Sequence, residues 1–180
     1  ISRFDRQFIL LESTLLTYSL IGSENDYSFR SNIVKELSEL KFPHEIRDVL
    51  KNSVKGLDKI ASLMIEVTSK GVKRNWIAVM EAKEGSTGII ANLLMGAFDT
   101  PIGVSYHLIG DEDLCEISLR GSYDSKYDLG KIVTQVTEMV GGIGGGHKKA
   151  SGARIPSKSL NDFLDMVELK IDMATVDYRH

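Results

Sequence analysis

The spacing of apolar residues divides this chain into two textures. Through the first 70 positions they recur at helical intervals. Ile46, Leu50, Leu57, Ile60, Ala61, Met64 and Thr68 fall near a 3.6-residue stripe, with Pro43 at a helix start. Phe4, Phe8, Leu11 and Leu15 trace an earlier stripe, and Ile33, Leu37 and Leu40 a shorter one. Such stripes are packing surfaces, and no chemical motif interrupts them.

Near Gly71 the period changes. Residues 76–80 form a continuous apolar run, short enough for a buried strand. Ser86 or Thr87 can cap a helix that carries Ile89, Ile90, Leu93, Leu94 and Ala97 on one face. A strand over 102–109 follows, then a turn at Gly110-Asp111-Glu112-Asp113 and a second strand over 114–120. Leu129, Ile132, Val133, Val136, Met139 and Val140 trace an amphipathic helix. A short strand is expected at 153–155. Leu160, Phe163, Leu164, Val167 and Ile171 mark a last helix behind a Ser159-x-x-Asp162 capping pattern. This order predicts an α/β protein: a helical connector or subdomain over 1–72, then over 73–180 a mixed β-sheet domain with helices packed on it.

Residues 141–152, GGIGGGHKKASG, fit none of these periods. Each glycine destabilises a helix or strand interior by roughly 0.5–1 kcal/mol relative to alanine, so five in six positions predict a loop where bare backbone bends or approaches a ligand. His147, Lys148 and Lys149 follow at once, and amide donors beside cations suit an anion, above all a phosphate. The Walker A spacing fails because His147 stands where lysine is required. The dinucleotide fingerprint fails because Gly142-x-Gly144 leads to His147. Both motifs also follow a strand, and this segment follows a helix.

The net charge of −3 excludes a uniformly basic nucleic-acid coat, yet it averages over an asymmetry. Between 141 and 158 there are four Lys or Arg residues and no acid, whereas 160–177 holds five acids and one lysine. The 114–120 strand supplies the other candidate chemistry. Alternation buries Cys115, Ile117 and Leu119 and turns Glu116, Ser118 and Arg120 the other way. Ser118 and Arg120 can grip a phosphate with a hydroxyl and a guanidinium fork; an ordinary exposed face with a Glu–Arg pair fits the alternation equally well.

Ser118–Gly121 (S-L-R-G), a helix, and then 144–152 (G-G-G-H-K-K-A-S-G) together resemble the C-terminal DHH-associated domain of DHH-family phosphoesterases. That family includes RecJ-like exonucleases, nanoRNases, cyclic dinucleotide phosphodiesterases and exopolyphosphatase relatives. The resemblance spans approximately 73–171. A related glycine-rich domain ends alanyl-tRNA synthetases, but the histidine and the preceding S-x-R favour the phosphoesterase branch. The resemblance implies that Gly144, Gly145 and Gly146 present amides to a substrate phosphate and that His147 contacts the phosphate near the scissile bond. Arg120 would hold a neighbouring phosphate, with Ser118 and Lys148 as lesser contacts. Many relatives have Ala-Ala-Gly where this chain has Ala150-Ser151-Gly152.

The family's chemistry implies two divalent ions, Mn2+ or Mg2+, in an N-terminal domain rich in Asp and His. This sequence holds no Asp-His-His triplet, and its histidines are His44, His107, His147 and His180. Asp111 and Asp113 read as turn residues, His44 and His107 as structural, and Cys115 as a small core residue. The chain is therefore expected to be the substrate-binding half of a phosphoesterase, with no metal site and no catalytic residue of its own. Its expected partners are a phosphorylated substrate such as single-stranded DNA or short RNA, the catalytic DHH domain, and, through the apolar stripes, a second copy. The alternative expectation is a non-catalytic single-strand-binding or replication-complex module. A lone cysteine and the lack of a ~20-residue apolar run point to a cytoplasmic protein without a membrane span.

Overall fold

The computed structural model describes residues 5–24, 26–83, 86–110, 113–123 and 127–176. Phe4, Asp111, Glu112 and His180 of the sequence reading lie outside the described residues. The chain forms two compact units, Ile1–Leu63 and Met64–His180, with the division inside one long helix.

The first unit contains α1 (Arg6–Gly22), α2 (Tyr27–Ser38), a 3-10 turn at Pro43–Glu45, and the start of α3 (Arg47–Lys70). Its core is Phe29, Ile33, Ile46 and Val49, with Leu15, Leu16 and Leu37 packed against it. Two stripes are displaced from the expected ones. Leu50 and Leu57 are exposed (46% for Leu57), and the buried side of α3 instead runs through Val49, Ser53 and Gly56. The cause is a close helix crossing. A Cβ on Gly56 would lie 2.0 Å from the Tyr18 carbonyl, and one on Gly22 2.0 Å from that of Asn52. Small residues therefore mark the contact, and a search for large apolar ones misses it. On α1, Glu12 is buried while Leu11 is exposed. Glu12 accepts from the backbone N–H of His44 (3.0 Å) and pairs with its Nδ1, which gives the buried carboxylate and His44 their structural role. Leu40 lies past the end of α2 at φ 64°, 88% exposed, so it does not extend the α2 stripe.

The second unit is a six-stranded mixed sheet in the order β1-β2-β3-β4-β6-β5. The strands are β1 (Val72–Lys73), β2 (Ile77–Glu81), β3 (Ile102–Ile109), β4 (Leu114–Gly121), β5 (Ile143–His147) and β6 (Ala150–Pro156). Only β2 and β3 pair in parallel, joined through α4 (Thr87–Phe98). α5 (Leu129–Val140) and α6 (Leu160–Val176) complete the unit. Ile77, Val79, Ile102, Val104, Ile117, Leu119 and Ile155 share one buried cluster with Val133, Val136, Phe163 and Val167 of α5 and α6. On the opposite face α4 lies so close to β3 that a Cβ on Gly103 would be 1.8 Å from the Ala91 carbonyl. β2 is thus buried on both faces and reads as a continuous apolar run, whereas β4 alternates as expected for one covered face. α6 is fastened to the β1–β2 corner: Glu168 accepts from the Trp76 amide (2.9 Å) and pairs with Arg74 Nε (3.0 Å), and Asp172 accepts from the Trp76 indole.

Two local expectations are corrected. Ser159 donates to the Val140 carbonyl (3.3 Å) from within a 3-10 turn, Ser157–Ser159, so the Ser159-x-x-Asp162 pattern is not a cap. The glycine run is not a loop. It forms edge strand β5, hairpinned to β6, which begins three residues before the expected strand. α5 explains Gly144, where a Cβ would stand 2.8 Å from both Val133 and Thr137 side chains, and β6 explains Gly142 and Gly146, where a Cβ would meet the Arg154 and Ala150 carbonyls at 2.5 and 2.6 Å. In turn, a Cβ on Gly130 of α5 would stand 2.4 Å from the Gly146 carbonyl. The strand lies against the helix with no room for side chains between them.

Candidate phosphate-binding site

The register of the sheet assembles the candidate residues. Arg120 on β4 stands opposite Ala150 on β6, and Ala150 stands opposite His147 on β5. Directly paired residues of antiparallel strands project from the same face. Arg120 and His147 therefore share a face, two strands apart, with the small Ala150 between them. Ser118, Gly152 and Gly145 form the adjoining row.

The turn between β5 and β6 consists of Lys148 and Lys149, and neither has a positive φ. Two-residue hairpins ordinarily close with mirror-image turns that need positive φ. Here the unusual dihedral belongs to Gly146 (φ 142°), where a Cβ would be 2.6 Å from the Ala150 carbonyl. Three further bonds fix the turn. Leu129 N–H at the head of α5 donates to the Lys148 carbonyl (3.1 Å), Gly121 N–H at the end of β4 donates to that of Lys149 (3.0 Å), and buried Ser151 donates to that of His147 (3.0 Å). Ser151 thus uses the hydroxyl that distinguishes it from alanine to brace the hairpin. Asp128 caps α5 by accepting from Lys131 N–H (3.1 Å). Lys149 donates to the Ser122 carbonyl (2.8 Å), whereas Lys148 and His147 are exposed.

The first turn of α4 closes the site over β4. Ser105 donates to the Thr87 carbonyl and Ser118 to the Thr87 hydroxyl (3.1 Å). Ser118 therefore holds the helix start as well as lining the face. The half-buried Arg120 guanidinium lies where a Cβ on Gly88 would be only 2.8 Å from Nη2. It donates to its neighbour's carbonyl at Leu119 (2.9 Å), and no carboxylate pairs with it among the described residues. Glu116 pairs instead with Arg154, its direct cross-strand partner. Of the two readings the alternation left open, the Glu116–Arg120 pair is therefore not formed. A cation at a helix N-terminus adds to the positive end of the dipole. The Arg120 guanidinium and the α4 start thus bring positive potential to the face that also carries His147, an arrangement suited to an anion. Thr87 was read from sequence as a possible cap alone and Gly88 was not singled out; their place at the site follows from contacts with Ser118 and Arg120, distant in sequence, that no local pattern announces.

Among the described residues no group of three His, Cys, Asp or Glu side chains could hold a metal ion, so nothing described here fits the divalent ions that the resemblance implies. Cys115 is buried in the core, and that burial, with Glu81 nearby, pushes its thiol up to about 11, which removes it as a nucleophile. Among the described residues no helix is long and apolar enough to cross a membrane.

Residues 75–172 match the DHHA1 domain. An uncharacterized protein of Methanocaldococcus jannaschii is 35% identical over 111 residues, which cover 59% of this chain and 24% of that protein. Among solved structures, the pGpG-specific phosphodiesterase PggH from Vibrio cholerae superposes with a TM-score of 0.62 at 14% identity, over 96% of this chain and 62% of that one. RecJ from Thermus thermophilus does so at 0.50 and 14%, over 70% of this chain and 20% of that one. The chain thus spans about a quarter of its curated relative and under two thirds of PggH. Identities this low show a shared fold; the matched domain covers more than half of the chain, and the chain accordingly belongs to the DHHA1 family, the domain associated with DHH phosphoesterases.

Proposed function

We propose that this domain binds a terminal phosphate of a short single-stranded nucleic acid and orients the adjoining phosphodiester for hydrolysis by a DHH catalytic domain. The observation that carries this reading is the placement of Arg120. Its guanidinium lies against the first turn of α4, without a carboxylate, on the face that carries His147. A guanidinium, an imidazole and a helix start, fixed by sheet register, form a receptor that needs little rearrangement to accept an anion. Gly145 and Gly146 lie on an edge strand, where alternate amides face outward and can join the grip. Lys148, at the exposed turn, adds long-range attraction.

In this reading the divalent ions, Mn2+ or Mg2+, belong to the catalytic domain. The DHHA1 domain holds the strand end so that the reacting phosphorus meets the activated water in one geometry, which is catalysis by orientation and charge stabilisation. The exposed apolar residues Leu50, Val54 and Leu57 of the first unit are available to a partner domain or a second copy.

Isothermal titration with a 5′-phosphorylated oligonucleotide tests the reading. Arg120→Ala and His147→Ala should each weaken binding about tenfold, the loss of one charge-assisted hydrogen bond, with circular dichroism unchanged. Binding that is indifferent to both substitutions overturns it. Hydrolysis of oligonucleotides by this chain alone, abolished in Arg120→Ala, would overturn the division of labour between the two domains.

A further inference from the structure

The face that carries Arg120 and His147 continues into a third row. After Arg120–Ala150–His147 and Ser118–Gly152–Gly145, the same register aligns Glu116, Arg154 and Ile143. α4 reaches this face at Ser118 and Arg120, whereas Arg154 and Ile143 are exposed, Ile143 by 74%. Four residues of strand separate the first row from the third, a span of about 13 Å. On this face of β6 only Gly152 lies between the two rows, so no side chain of that strand rises between them. Arg154 therefore stands at the far end of a track along β6 that begins at the Arg120–His147 pair. It is held there by a cross-strand ion pair with Glu116, in which both side chains are nearly half exposed.

We propose that Arg154 is a second phosphate grip and sets the length of nucleic acid this domain prefers. The inference rests on the phosphate-binding reading above and adds a specificity-determining residue to it. An exposed carboxylate–guanidinium pair is weak, and a phosphate offers the guanidinium the same bidentate geometry. A single-stranded oligonucleotide anchored by its terminal phosphate at Arg120 and His147 runs along β6, and a downstream phosphate takes Glu116's place on Arg154. A mononucleotide does not span the two rows. Glu116 keeps the arginine poised, and its charge is a barrier that only an incoming phosphate offsets.

Fluorescence anisotropy of the 180-residue chain with a labelled 5′-phosphorylated pentanucleotide, and competition by a 5′-mononucleotide, provide the test. Arg154→Ala should weaken the pentanucleotide about two- to fivefold, as for an exposed charge contact, and lower its salt slope by about 0.7. The mononucleotide should be unaffected. Glu116→Gln should tighten the pentanucleotide, and the double variant should lose that gain, which keeps the test valid should Arg154→Ala disturb the strand. If Arg120→Ala weakens the pentanucleotide but Arg154→Ala does not, or if Arg154→Ala weakens both ligands alike, this inference fails and the phosphate reading stands. If the unmodified chain binds neither ligand, the phosphate reading itself fails.

Discussion

Arg120 and His147 project from the same face of the sheet, each directly opposite Ala150. The gap between the guanidinium and the imidazole is therefore set by one methyl group. Replacing it tests the site without touching a charge. Ala150→Leu should fill the gap and weaken binding of a 5′-phosphorylated oligonucleotide by about tenfold, or 1.4 kcal/mol. Because Ala150 is only half-buried, the thermal midpoint should stay close to that of the parent. Titration and thermal denaturation on the same sample check both halves of the expectation.

Gly88 separates stability from binding in the opposite sense. Alanine is favoured over glycine within a helix by about 0.8–1.0 kcal/mol, and its Cβ would meet only the mobile end of Arg120, at 2.8 Å. Gly88→Ala should raise or preserve the melting temperature while displacing the guanidinium and weakening phosphate binding. A variant that is both more stable and equally good at binding would show that Arg120 does not need its place against α4.

Gly144 and Gly130 should respond through packing. A methyl at either position meets atoms at 2.8 Å or closer, including the Gly146 carbonyl. Gly144→Ala and Gly130→Ala are each expected to cost about 1–3 kcal/mol, as overpacking does. Gly96→Ala, with no atom within 4 Å of the new Cβ, should instead stabilise α4 by up to about 1 kcal/mol. Chemical denaturation of the three variants gives the comparison.

Cys115 yields a pH dependence. Burial raises the folded thiol from 9.0 to about 11. The unfolded chain therefore releases this proton first as the solution becomes alkaline. Stability contributed by the buried thiol is complete below the unfolded value and declines as pH rises from about 9 towards 11. Cys115→Ala should flatten that alkaline decline even though it lowers stability overall. At neutral pH the thiol should resist alkylation until denaturant is added.

The elements with a single clear period were legible in the sequence. α5 occupies the span its apolar stripe marks and β4 its alternation, because each turns one face to one core, and β3 fills the expected apolar span although α4 covers its second face. The first unit was less legible: Gly22, Ser53 and Gly56 build the α1–α3 crossing with almost no apolar signal, so the large residues beside them suggested a stripe rotated from the buried one. β5 was hidden for a different reason. Propensity disfavours glycine in a strand, yet α5 excludes a side chain at Gly144 and β6 one at Gly146, and tertiary crowding overrides local preference. At the site, Arg120 and His147 stood out by type and by family resemblance. Gly88 and Arg154 did not, since one is placed by a helix–sheet contact and the other by register through β6.

The crowding of β5 against α5 bears on how relatives of this domain are compared. Gly144 is dictated by the packing of α5 and Gly146 by the close approach of β6, whatever the domain binds. A homologue that has lost all affinity for phosphate would still be under pressure to keep them. On the proposed phosphate reading the diagnostic positions are Arg120, His147 and Arg154, which lie outside the buried core clusters, so that their retention, and not that of the glycines, would separate a working binder from an inherited scaffold.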